Sequence, residues 1–151
     1  MLKKILIFLT VVVSAYLTGC ASVPMAPVEA DKARKEFTSP SQDAAGLYIY
    51  RNSTFGGALK KKVYIDGEMI GETAPKTYFY KDIQPGKHEL STESEFGDNM
   101  LAIDAKGGEN YYVLQYIKMG VFVGGANLKL VSEEEGKKGV LECKLAKEPD
   151  K

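Results

Sequence analysis

The chain has 151 residues with 20 basic and 20 acidic side chains, a balance that excludes the broad positive surface on which nucleic-acid binding depends. Its length fits one modest domain with a short extra segment rather than two domains. Two cysteines and one histidine provide no framework of disulfides, no metal-ligand set and no catalytic triad, so neither a bound metal nor an enzymatic activity is expected.

Lys3 and Lys4 precede an apolar run over residues 5–17 that only Thr10 and Ser14 interrupt. A positive start followed by a short apolar stretch is the anatomy of an export signal. The run falls short of the roughly 20 residues that a membrane-spanning helix needs. Leu17-Thr18-Gly19-Cys20 resembles the bacterial lipobox. That resemblance implies cleavage between Gly19 and Cys20, transfer of diacylglycerol to the Cys20 thiol, and an N-acyl chain of the palmitate type on the new terminus, with no other cofactor. Two or three acyl chains hold a protein on a membrane persistently, since each buried methylene contributes about 0.8 kcal/mol. Ala21 stands where an aspartate would resemble an inner-membrane retention signal, which favours an outer-membrane location facing the periplasm in a Gram-negative envelope. Removing residues 1–19 leaves 132 residues with 18 basic and 20 acidic side chains. Cys143 then has no partner for a disulfide.

Residues 20–45 hold the lipidated cysteine and read as a linker, rich in Ala, Ser and charge and broken by Pro24, Pro27 and Pro40. A short helix is expected over residues 29–37, with Ala30, Ala33 and Phe37 on one face and Phe37 free to dock on the domain. As a flexible chain this segment would span some 30 Å.

From Gly46 to about residue 147 the period changes to two, and short alternating runs separated by glycine and proline recur about every ten residues. Leu47 and Ile49 alternate with Tyr48 and Tyr50, Val63 and Ile65 with Lys62 and Tyr64, and Leu101 and Ile103 with Ala102 and Asp104. The pattern predicts an all-β domain, a small antiparallel β-sandwich. Asp66-Gly67, Pro85-Gly86 and Gly107-Gly108 mark turns. Ser132 and Glu135 form a capping-box pattern for a short helix starting near Glu133, supported by Glu133 with Lys137 and Glu134 with Lys138 and opposed by Gly136 and Gly139. Beyond Gly139 the alternation of Leu141, Cys143 and Leu145 fits a last strand equally well.

The stretches Val63-Tyr64-Ile65-Asp66-Gly67, Ile70-Gly71-Glu72-Thr73-Ala74-Pro75 and Ile83-Gln84-Pro85-Gly86-Lys87-His88-Glu89-Leu90 resemble the PEGA-type repeat, a carboxypeptidase-regulatory-like β-sandwich unit, with an extra Ala74 and without the literal Pro-Glu-Gly-Ala string. Residues 46–146 with the lipobox ahead of them also resemble an uncharacterised bacterial lipoprotein family known only as a domain of unknown function. Phe55-Gly56-Gly57-Ala58-Leu59 and the stretch from Lys118 to Ala126 carry that second likeness. These resemblances imply an Ig-like or transthyretin-like sandwich and no activity.

Among candidate sites, His88 beside the Pro85-Gly86 turn has no second histidine to complete a site. Asp66, Glu68 and Glu72 read as solvating a hairpin. Cys143 reads as a small buried apolar residue. Tyr48, Tyr50, Tyr64, Tyr78, Tyr80, Tyr112 and Tyr116 take the phase opposite the aliphatic residues. They form either an exposed platform for sugar rings or a partner, or cross-strand aromatic pairs covered by the linker helix and Phe37. Phe55 and Phe122 lie in apolar, glycine-rich segments that serve either as contact loops with exposed anchors or as bulges folding the rings inward. The resulting expectation is a lipid-anchored, non-enzymatic envelope module with an envelope protein as partner. Peptidoglycan or another glycan is the alternative ligand.

Overall fold

The computed structural model describes residues 20–149; the signal peptide expected over residues 1–19 lies outside them. Among the described residues nine strands and two helices follow one another as α1 (Val28–Arg34), β1 (Ala45–Arg51), β2 (Lys61–Ile65), β3 (Glu68–Thr73), β4 (Thr77–Ile83), β5 (Gly86–Ser94), β6 (Gly97–Ala105), β7 (Asn110–Lys118), β8 (Gly125–Val131), α2 (Glu133–Leu141) and β9 (Lys144–Leu145). They form a five-stranded sheet in the order β8-β7-β1-β4-β9 and a four-stranded sheet in the order β3-β2-β5-β6.

The two sheets pack face to face as a β-sandwich. Leu47, Ile49, Phe79 and Val113 from one sheet meet Val63, Leu90 and Ile103 from the other in a continuous core, the burial that period-two alternation of aliphatic residues requires. The four-stranded sheet is antiparallel throughout. The five-stranded sheet is not: β1 runs parallel to β7, and β4 parallel to β9. A buried polar network links the sheets, in which Thr73 Oγ1 donates to Gln115 Oε1 and Gln115 Nε2 donates to Thr92 Oγ1 at 2.7 Å.

Asp66-Gly67 closes the β2–β3 hairpin with both residues at positive φ, 52° and 81°, the backbone of a type I′ turn that glycine adopts without a Cβ penalty. In the tail both expected elements are present in succession. Ser132 caps α2 by accepting from Glu135 N at 3.2 Å, and β9 follows after a short turn.

The linker segment is folded onto the domain instead of spanning freely. Ala26 N donates to Leu145 O and Lys147 N to Pro24 O, each at 2.9 Å, and Ala21 N donates to Gly57 O at 2.8 Å. Helix α1 is held by Asp31 Oδ1, which accepts from Leu145 N at 3.0 Å, and by Lys35 Nζ, which donates to Cys143 O at 2.6 Å. It ends before Phe37, which takes a positive φ of 52° and turns its ring toward Tyr48 and Tyr112.

Candidate functional site

The tyrosine face belongs to the five-stranded sheet, and it is covered. Register places Tyr80, Tyr48 and Tyr112 side by side on β4, β1 and β7. The rings of Tyr48 and Tyr112 stack at 5.1 Å with 13° between planes, and Tyr80 meets Tyr48 edge-on at 4.7 Å. Helix α2 lies over them with Val140 and Cys143 in the same cluster, and Phe37 closes the cluster from the linker. Tyr48, Tyr50, Tyr78 and Tyr112 are each at most 1% exposed. Of the two arrangements open from the sequence, these four tyrosines take the covered one, cross-strand aromatic pairs closed by Phe37, and not the exposed platform. Tyrosine carries enough apolar area for this face to be buried as a second core; Tyr48 Oη donates to Arg34 O at 2.8 Å, whereas the buried Tyr112 hydroxyl has no hydrogen-bond partner among the described residues. Burial pushes the Tyr48 and Tyr50 phenols up to about 12. Tyr80 is half-buried under the Arg34 guanidinium, whose carbon lies 3.8 Å from its ring centre. Tyr64, half-buried, lies on the other sheet, and Tyr116 stays exposed at the far end of β7.

The close approach of α2 explains its glycines. A Cβ on Gly136 would overlap Tyr112, and one on Gly139 would overlap the Tyr50 ring. The two residues that weaken the helix by intrinsic propensity are the ones that let it lie on the tyrosines.

Phe55 and Phe122 come together at one end of the sandwich. The β1–β2 loop and the β7–β8 loop line a shared shallow depression with Ile117 and Leu59 at its base. Here the glycine strings interlock: a Cβ on Gly56 would sit 2.9 Å from Ile117 Cγ2, and one on Gly124 2.8 Å from Leu59 Cδ1. The side chains at the tips point to solvent, with Phe55 56%, Val121 76%, Phe122 84% and Met119 85% exposed.

One charged side chain organises each loop. Arg51 is fully buried at the end of β1 and donates to Leu59 O at 2.7 Å and to Gly56 O at 2.8 Å, with Phe55 O at 3.2 Å. Glu95, in the β5–β6 turn, accepts from Val121 N at 2.6 Å, from Val123 N at 3.1 Å and from Phe122 N between them. Lost water around the Glu95 carboxylate opposes its charge, but the three amides outweigh this and hold its pKa below the ordinary value. Neither Arg51 nor Glu95 is conspicuous in the sequence. The usable signal is a lone charge beside a loop that is apolar where loops are ordinarily polar.

The opposite end is polar. Asp66 Oδ2 lies 2.6 Å from His88 Nδ1, and Gln84 O lies 2.7 Å from His88 Nε2. Both partners accept, so the geometry suits an imidazolium that donates twice and pins the hairpin turn to the β4–β5 turn. Partial burial disfavours that charge, yet the Asp66 carboxylate and Gln84 carbonyl raise the His88 pKa above its ordinary value. Glu68 and Glu72 lie on β3 beside this hairpin. Burial pushes the Cys143 thiol up to about 12, the state of an inert core cysteine. Cys20 is exposed. No group of three or more His, Cys, Asp or Glu side chains is arranged to hold a metal among the described residues, and no helix there is long and apolar enough to cross a membrane.

The fold and its end loops define a small β-sandwich domain with a helical cover on one sheet. The chain belongs to the family of proteins of unknown function DUF2846, whose profile matches residues 41–126. A protein of Haemophilus influenzae described as "uncharacterized protein" is 54% identical over 134 residues, which cover 89% of this chain and 80% of that protein. No solved structure matches the chain.

Proposed function

We propose that this protein is a lipid-anchored component of the bacterial cell envelope, acylated at Cys20 after cleavage at Gly19, and that its sandwich acts as a structural or protein-contact module without catalysis. The observation that carries the reading is the positive start, short apolar run and lipobox-like Leu17-Thr18-Gly19-Cys20. The exposure of Cys20, the first of the described residues, fits an acylated terminus. The likeness of residues 63–90 to a PEGA-type unit belongs to the same reading, and Ala21 favours an outer-membrane address facing the periplasm. His88, already engaged through both ring nitrogens, is poorly suited to serve as a base. The tyrosines that motivated a glycan-stacking alternative are mostly covered by α1 and α2, so protein contact is the reading put forward.

Metabolic labelling with an alkyne fatty acid tests the anchor. Wild-type protein is expected to incorporate label and fractionate with membranes, and Cys20→Ser to lose the label and appear as soluble protein or uncleaved precursor. Labelled, membrane-bound mature protein from Cys20→Ser would contradict the proposal. Crosslinking in intact cells followed by pull-down tests the contact role, with a specific envelope protein as the expected product.

A further inference from the structure

The acyl anchor of the preceding section and the apolar loop tips are separate features in the sequence, and the fold places them at the same end of the domain. Ala21 N donates to Gly57 O at 2.8 Å, and Gly57 is two residues from Phe55. Residues 21–27 are hydrogen-bonded along the domain and lead directly into α1. There is consequently no slack between Cys20 and the sandwich: a bilayer that holds the Cys20 lipid lies against the end of the domain that carries Phe55, Met119, Val121 and Phe122.

Those tips are held outward by construction. Arg51 fixes the backbone under Phe55 through three carbonyls, and Glu95 fixes the backbone of residues 121–123 through three amides. With the backbone so tied, Phe122 is 84% exposed and stays in water unless something covers it. Contiguous exposed apolar surface of this kind marks a contact site. Phe96, 78% exposed in the same turn as Glu95, extends the patch. Lys60 and Lys118 stand exposed at the ends of the two loops, where they complement anionic headgroups. The opposite end carries Asp66, Gln84 and His88, and among the described residues no phenylalanine is exposed there.

We propose that the Phe55 and Phe122 loops insert into the interfacial layer of the membrane that holds the Cys20 lipid. They form a second, non-covalent contact that fixes which way the sandwich faces. This inference rests on the anchor reading. Aromatic and aliphatic side chains seated beside basic residues are the composition with which a peripheral protein enters the headgroup boundary. The consequence is an oriented domain whose polar end, and the outer face of the four-stranded sheet, remain turned toward the aqueous compartment and open to protein partners.

The absence of tryptophan makes a direct test available. Single reporters Phe122→Trp and Phe55→Trp, with Lys87→Trp at the polar end as control, are made in the full chain. They are purified from membranes and reconstituted into phosphatidylethanolamine and phosphatidylglycerol vesicles containing phospholipids brominated in the acyl chain. The two loop reporters are expected to be blue-shifted and quenched severalfold more than the control. Equal, weak quenching at all three positions with Cys20 verified as acylated by mass would overturn the loop proposal and leave the anchor standing. Blue-shifted but unquenched loop reporters in the brominated vesicles would indicate that protein and not lipid covers the loops and would also overturn it. An unmodified Cys20 would overturn the anchor reading and this inference with it.

Discussion

Replacing Gly139 by alanine should destabilise this protein, although the same change in an exposed helix interior ordinarily stabilises by about 1 kcal/mol. The added Cβ would overlap Cε2 of Tyr50 and lie 2.6 Å from Cζ and 2.9 Å from Cδ2 of the same ring, where carbon atoms need about 3.5–4.0 Å. Tyr50 is 1% exposed and Val140 beside the glycine is fully buried, so neither ring nor helix can yield without opening the second core. Overpacking of this kind costs about 1–3 kcal/mol. Set against the propensity gain, it leaves a net loss of about 1 kcal/mol. Urea unfolding followed by far-ultraviolet circular dichroism measures it. A double-mutant cycle with Tyr50→Leu should show coupling, because the smaller side chain makes room for the methyl. A Gly139→Ala protein about 1 kcal/mol more stable than wild type would refute the idea that α2 lies on the tyrosines through its glycines.

Three further outcomes follow from the same structure. The His88 pKa is raised in the folded state, so its contribution to stability is complete below the ordinary histidine value of about 6.5 and is lost as pH rises through the folded value. Stability measured upward from about pH 6 should therefore decline in wild type and decline less in His88→Gln; identical slopes would count against the pin. Gln115→Ala removes the buried link between Thr73 and Thr92 and should cost about 2–3 kcal/mol in urea unfolding, from unpaired hydroxyls and lost volume; a change below about 0.5 kcal/mol would contradict it. The Cys143 thiol, 2% exposed, should resist alkylation in native protein and react rapidly once urea unfolds it. Equal rates in both states would place it at the surface.

Much of the sandwich is legible along the chain because its signals are local. Asp66-Gly67, Pro85-Gly86 and Gly107-Gly108 each lie where one strand gives way to the next, and Leu47 and Ile49 of β1, Val63 and Ile65 of β2, and Leu101 and Ile103 of β6 pack in the core. The parallel pairing of β1 with β7 joins residues more than sixty positions apart and has no local signature. The tyrosines leave two readings open for a different reason. Alternation of aliphatic residue and tyrosine looks like one buried face and one wet face, whereas in β1 every residue is buried, as happens when a strand is central and both faces are covered. The linker reads as free because it is polar and proline-rich. It is held by backbone hydrogen bonds to Leu145, Lys147 and Gly57 and by Asp31 and Lys35, whose partners on the domain are main-chain atoms, and none of these leaves a mark in composition. At the loop end, the Phe-Gly-Gly-Ala strings point to the site. Arg51 and Glu95 go unnoticed because their partners are main-chain atoms rather than other charges.

The central claim is that Cys20 is the acylated first residue of the mature protein and holds the sandwich against a membrane. Mass spectrometry of the protein extracted from membranes of its own host, digested with trypsin, measures this directly on the peptide covering residues 20–32. The account predicts a peptide that begins at Cys20 and carries diacylglycerol and an N-acyl chain. A peptide that begins elsewhere, or one that contains Cys20 as a free thiol, would contradict it.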